Sequence, residues 1–233
     1  MKFLKSLVKR IINRTANFGH ISLKNATHEI FDDIYKTNYW RGVSRSGEGS
    51  DLLQTQHIRE VFPDLLKSLE AKSMLDIPCG DYFWMQHVEL SVNYTGADIV
   101  QQVVKINNEK YSDNHHKFLH LDVCINKLPQ VDIIFARDLL VHLCYNDIRR
   151  ALQNMKESGS TWLLTTTFTG RDTNHEIKTG DWRTLNLQLA PFNFPEPVKI
   201  INEGCTQFNG DYGDKSLGLW KLKDLELWSC SDY

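Results

Sequence analysis

The sequence predicts an α/β fold, a doubly wound and mostly parallel sheet, and three observations carry that expectation. Short apolar runs alternate with stretches of helical periodicity between residues 52 and 168, the pattern of successive βαβ units. Seven strand-like runs occur in all, so a seven-stranded sheet with helices on both faces is expected. Three of the first four runs end on an aspartate, Asp98, Asp122 and Asp138, and Asp76 lies inside the first. In an open α/β sheet those carboxyl ends share one edge, where ligands bind.

The elements follow in order. Residues 1–14 carry Lys2, Lys5, Lys9, Arg10 and Arg14 without an acid, and Phe3, Leu4, Leu7, Val8, Ile11 and Ile12 recur at helical spacing. This reads as a basic amphipathic helix within an N-terminal helical extension, residues 1–24. It either packs on the domain or makes weak peripheral contact with an anionic membrane surface. A domain over residues 25–233 follows, opening with a helix over 25–39 and a glycine–serine loop, 40–50. Asp51 is placed to cap a helix over 52–69 whose buried face is Ile58, Val61, Phe62, Leu65 and Leu66.

The first strand, 74–77, is stopped by Pro78, which lacks a backbone N–H, and Gly80 permits a tight turn beside a ligand. Strands are predicted at 94–99, 116–123, 131–136 and 161–168, with helices at 100–111 and 147–157. Two further strand-like runs, 198–201 and 217–222, close the fold, and residues 169–197 form a polar and aromatic insert without clear periodicity.

Composition narrows the function. At 233 residues, 41% hydrophobic and 24% charged, the chain can bury a full core. A formal charge of −2 gives no reason to expect nucleic acid as the partner. Five cysteines, an odd number without a C-x-x-C pair, argue against a disulfide framework or structural zinc and fit a reducing cytoplasm. His115, His116 and His120 straddle a strand without companion ligands, so no metal is expected.

The loop after the first strand narrows it further. A dinucleotide fingerprint needs G-x-G-x-x-G, whereas this loop has one glycine between Asp76 and Asp81, whose charge would repel a pyrophosphate. Asp98 follows Gly80 at the spacing of a ribose-binding acid. A ligand with a ribose and a cation in place of phosphates fits better.

From about residue 37 onward the chain resembles a class I S-adenosylmethionine-dependent methyltransferase. The likeness rests on Leu-Asp-Ile-Pro-Cys-Gly-Asp at 75–81, Gly-Ala-Asp at 96–98, Leu-Asp-Val at 121–123 and Asp-Ile-Ile-Phe-Ala-Arg-Asp at 132–138. Within the class it is similar to a largely uncharacterised bacterial subgroup with Ser-Gly-x-Gly-Ser, here 46–50, and Asp-Trp-Arg-x-Leu-Asn-Leu, here 181–187. Pro78 and Tyr82 stand where the family loop commonly has glycines.

The resemblance implies a Rossmann-like methyltransferase fold, S-adenosylmethionine as cofactor, and positions for it. Asp76, Pro78, Gly80 and Asp81 would border its methionine and ribose portion. Asp98 would hold the ribose hydroxyls, with Ile99 beside the adenine. Asp122 and Val123 would meet the adenine edge, and Arg137 would lie over the cofactor. Trp40, Ser46 and Gly47 would close over the methionine end. Asp138 and His142, at the helical spacing i, i+4 that would put both on one face, are candidate catalytic groups, either as base or to orient the acceptor. In the insert, Asp181, Trp182, Arg183 and Asn186, with Phe192, Phe194 and Trp220 near them, are expected to select the acceptor, and Arg171 and Arg183 could read a charged one. The acceptor is expected to be a small molecule or glycan, with a sugar hydroxyl favoured. A nicotinamide-dependent oxidoreductase and a non-catalytic cofactor-binding scaffold are the alternatives.

Overall fold

The structure, a computed structural model, describes residues 23–228; the basic segment 1–14 lies outside them. Seven strands form one sheet: β1 (Ser73–Asp76), β2 (Asn93–Asp98), β3 (His116–His120), β4 (Ile133–Ala136), β5 (Trp162–Phe168), β6 (Lys199–Asn202) and β7 (Lys215–Lys221). Their spatial order is β3-β2-β1-β4-β5-β7-β6. The first five are parallel, while β7 runs antiparallel to both β5 and β6. The strand order reverses beside β1, where Asp76 pairs with Gly96 of β2 and Phe135 of β4. That reversal opens the crevice that doubly wound sheets use for ligands.

Alternation along the strands divides the core into two layers, because successive side chains leave opposite faces of a sheet. Met74, Ile133, Phe135, Leu164 and Leu219 pack with Ile58, Phe62, Leu65 and Leu66 of helix α2 (Gln56–Ser68) and Val104 of α3 (Gln101–Tyr111). Leu75, Ile134, Ala136, Leu163 and Trp220 pack on the other face with Ile148, Ala151, Leu152 and Met155 of α4 (Tyr145–Glu157). Among the described residues, no helix is long and apolar enough to cross a membrane.

Three local expectations are corrected. Residues 51–55 form turns, so α2 starts at Gln56; Asp51 offers its carbonyl to the Thr55 N–H and hydroxyl rather than capping the helix. Strand β3 stops at His120, two residues before Asp122. Asp138 and His142 do not share an α-helix face, since Asp138 takes a left-handed backbone (φ 53°) and His142 ends a single 3-10 turn, Leu140–His142. Helix α1 (Leu23–Thr37) lies over the carboxyl edge of the sheet, with Phe31, Ile34 and Tyr35 on the crevice and His28 edge-on to the His120 ring.

Candidate active site

One crevice at the carboxyl ends of β1, β2 and β4 collects most of the residues singled out from the sequence. Trp40, Ser46, Asp76, Pro78, Gly80, Asp81, Asp98, Ile99, Arg137, Asp138 and His142 all line it. Gly80 adopts φ 52°, and a Cβ there would stand 2.1 Å from the Ser46 hydroxyl, so both conformation and space require glycine. Asp81 fastens the amino-terminal loop to this turn. Its Oδ1 accepts from the Ser44 hydroxyl (2.8 Å) and the Ser46 hydroxyl (3.3 Å), and its Oδ2 from the Arg45 N–H (2.9 Å). Gly47 acts through its backbone: at φ 94° its α-carbon sits against Trp40, whose Cβ an added methyl would meet at 3.0 Å.

Two buried acids sit beneath this loop. Asp98 accepts the Val100 N–H (2.9 Å) and the Gly80 N–H (3.1 Å), yet burial pushes its carboxyl up to about 6 despite both donors. Asp76 accepts the Tyr94 hydroxyl (2.6 Å), and burial pushes it up to about 7, the hydroxyl working the other way. Carboxylates in this condition gain from ribose hydroxyls or a nearby cation and would repel a pyrophosphate. These two acceptors therefore fit a sulfonium nucleoside.

At the end of β4 the charges are paired. Arg137 donates to Glu203 (2.8 and 3.2 Å) and to the Gly49 carbonyl (2.8 Å); Lys215 donates to Asp138 (2.7 Å) and lies 3.4 Å from Glu203. Burial raises the Asp138 carboxyl, but Lys215 and then Arg137 more than reverse it, holding it below the ordinary carboxylate range. Glu203 and Lys215 belong to no motif in the sequence, where each stands beside an apolar run.

His142 is set differently. Its Nδ1 lies 2.9 Å from the Asp181 carbonyl, which can only accept, so Nδ1 carries the proton and Nε2 keeps the lone pair. Its ring stacks on Trp40, centroids 4.6 Å apart and planes 32° apart. Desolvation lowers its pKa, so the imidazole is neutral at pH 7.

The insert is where the expectations need correcting. Arg183 is fully buried, and its guanidinium donates to the carbonyls of Leu140 (3.0 Å), Leu143 (2.7 Å) and His175 (3.2 Å). It clamps the turn bearing His142 instead of reaching an acceptor. The Gly180 N–H donates to the His142 carbonyl and the Arg183 N–H to that of Val141, completing the seam. Asp181 contributes its carbonyl while its side chain faces solvent. Asn186 is buried, bonded to Asn174, Arg171 and Gln188 within the insert. Arg171 is engaged by Asp214 (2.7 Å) and the Asp211 carbonyl (2.6 Å). Phe192, Phe194 and Trp220 are core side chains. Trp182, 41% exposed, is the residue of this group left facing outward as an aromatic. Asp122 and Val123 do not line the crevice: Asp122 caps the turn after β3 by accepting the Cys124 N–H (2.8 Å), and Val123 is buried in the core.

Comparison with known proteins agrees with this geometry. Residues 75–158 match the family model described as a methyltransferase domain. Over that segment the chain is similar to a methyltransferase domain. Its fold is similar to that of the N-methyltransferase NodS from Bradyrhizobium japonicum WM9 in complex with S-adenosyl-L-homocysteine, at TM-score 0.58 and 13% identity over 82% of this chain and 98% of that one. Human N-acetylserotonin methyltransferase in complex with S-adenosylmethionine gives TM-score 0.54 and 14% identity over 83% of this chain, which spans 59% of the human one. The methyltransferase domain of bacterial CtHen1-C gives 0.53 and 15% over 73% and 98%. Identities this low speak for the fold alone. No curated protein sequence matches the chain.

Proposed function

We propose that this methyltransferase domain methylates a hydroxyl of a small molecule or glycan, with a sugar hydroxyl as acceptor. Bound S-adenosylmethionine supplies a methyl already activated on a sulfonium, so alignment does much of the work. In this reading Asp98 holds the ribose hydroxyls and Ile99 flanks the adenine. Asp76, Pro78, Gly80, Asp81, Ser46 and Trp40 border the methionine end, and Arg137 shapes the floor.

The observation that supports an oxygen acceptor is the state of His142. A hydroxyl is too weak an acid to lose its proton unaided, and a neutral imidazole with a free lone pair can take it as the oxygen gains the methyl. The Asp181 carbonyl fixes the tautomer, Trp40 fixes the ring plane, and desolvation keeps the base unprotonated. Asp138, neutralised by Lys215 and Arg137, is a poor base and serves to orient the acceptor.

Methyl-labelled S-adenosylmethionine and a panel of mono- and oligosaccharides test the proposal. Wild-type protein is expected to label a sugar, His142→Ala to lower kcat roughly 10²–10⁴-fold, and S-adenosylhomocysteine affinity to stay within about threefold. Because the His142 pKa is lowered, the wild-type rate should hold to a pH below that of an ordinary histidine before falling. Label on amines alone, or wild-type turnover by His142→Ala, would sink the assignment.

A further inference from the structure

We infer that Trp182, Tyr212 and Phe208 form an aromatic shelf that takes the non-reacting portion of the acceptor, and that its occupant is a neutral oligosaccharide. The inference rests on the sugar-hydroxyl reading above and extends it from the reacting atom to the neighbouring sugar units.

Backbone geometry supplies the first observation. In the loop between β6 and β7, Phe208 has φ 52°, ψ 47° and Asn209 φ 57°, ψ 29°, two consecutive left-handed residues. Asparagine tolerates that region, but a bulky aromatic is uncommon there and strained. The strain does not bury the ring, since Phe208 remains 65% exposed. The strained backbone thus holds a ring that stays largely in water.

Ring geometry supplies the second. Phe208 packs edge-on against Tyr212 at 5.2 Å, and Tyr212 against Trp182 at 5.0 Å. Phe168, at the end of β5, supports both Trp182 and Tyr212 from below, and the Arg171 guanidinium lies over the Phe168 and Tyr212 rings. The shelf is therefore braced from beneath.

Its position links it to the chemistry. Trp182 follows Asp181, whose carbonyl holds His142. Phe208 follows Gln207, whose amide oxygen faces Gly49 together with the Asp138 carboxylate and the Lys215 ammonium; these three atoms stand 3.5–3.8 Å from where a Gly49 Cβ would be. Polar groups for hydroxyls thus adjoin aromatic faces for the C–H side of a sugar ring. Arg137 and Lys215 balance Asp138 and Glu203 in charge, which suits a neutral ligand rather than a phosphorylated or carboxylated one. A fully enclosed pocket would suit a single small molecule, whereas an open shelf suits the next units of a chain.

An array of neutral oligosaccharides, probed with full-length protein saturated with S-adenosylhomocysteine, tests this. Wild-type protein should bind a subset of the array. Trp182→Ala and Phe208→Asn should each bind about tenfold more weakly, the scale of one anchor residue. Phe208→Asn should also raise the melting temperature, because asparagine relieves the left-handed strain, so its lost binding cannot be ascribed to unfolding. Equal binding by both variants overturns the shelf and leaves the His142 reading standing. If wild-type protein binds no neutral glycan, the sugar class falls, and the shelf's occupant with it. A dimer that Phe208→Asn dissolves, with glycan binding unchanged, shows the face to be a protein interface and overturns the inference.

Discussion

The two halves of the crevice are built by different means. On the β1–β2 side, the acids come from residues close in sequence: Asp76, the turn through Gly80 and Asp81, and Asp98, whose carboxylate binds the N–H of Gly80 eighteen residues away. Asp76 and Asp98 stand buried without a salt bridge and are raised to about 7 and about 6. On the β4–β7 side, the parts come from across the chain: Asp138 meets Lys215 at a separation of 77 residues, and Arg137 meets Glu203 at 66. There the charges cancel. One half is left in want of donors and positive charge, which suits the cofactor. The other is balanced in charge, which suits a neutral acceptor and leaves the proton to His142.

The largest effect should come from breaking the balanced half. Lys215→Met removes a buried cation and leaves Asp138 and Glu203 sharing Arg137. Removing one partner of a buried ion network costs about 3–5 kcal/mol, which a denaturant titration would register as a lower midpoint at unchanged slope. S-adenosylhomocysteine affinity, measured on the fraction still folded, should move little. A midpoint within experimental scatter of wild type would show that the network is solvated and that the contrast between the halves is overstated.

Asp98→Ala tests the other half. Ribose hydroxyls left without an acceptor cost roughly 1–3 kcal/mol, so calorimetry with S-adenosylhomocysteine should show affinity about 10–100-fold weaker. The denaturation midpoint should fall less than in Lys215→Met. Affinity within twofold of wild type would displace the ribose from Asp98.

That asymmetry also decides what could be read from the residues alone. Strand periodicity and the order of the acidic strand ends point to the sheet, and the turn from Asp76 to Asp81 with Asp98 points to the cofactor, because successive members lie at most 24 residues apart. Asp122 differs from the expectation in its place in the strand: β3 is exposed on its outer edge and ends at His120, so the acid belongs to the following turn. Arg183 and Asn186 depart from the expectation because a polar, aromatic segment without periodicity looks like a surface loop, whereas both are buried. Burial of its side chains depends on Leu140, Leu143, Arg171 and Asn174, partners that no local pattern indicates. Lys215 and Glu203 carried no signal, since their pairing exists only once β7 lies antiparallel to β5 and β6.

The most direct reading of the contrast is electrostatic. Asp76 titrates near 4 when unfolded and near 7 when folded, so the folded state binds more protons between those values. Stability from this group is fully present below about pH 4 and is lost as pH rises through about 7. Asp76→Asn keeps an oxygen for the Tyr94 hydroxyl and removes the titration. The variant should therefore lose part of the decline in melting temperature between pH 4 and 7, and be at least as stable as wild type at pH 8, while binding S-adenosylmethionine more weakly. A variant less stable than wild type at pH 8 would mean that the carboxylate is already satisfied by the protein. The two halves would then not differ in the way their charges are met.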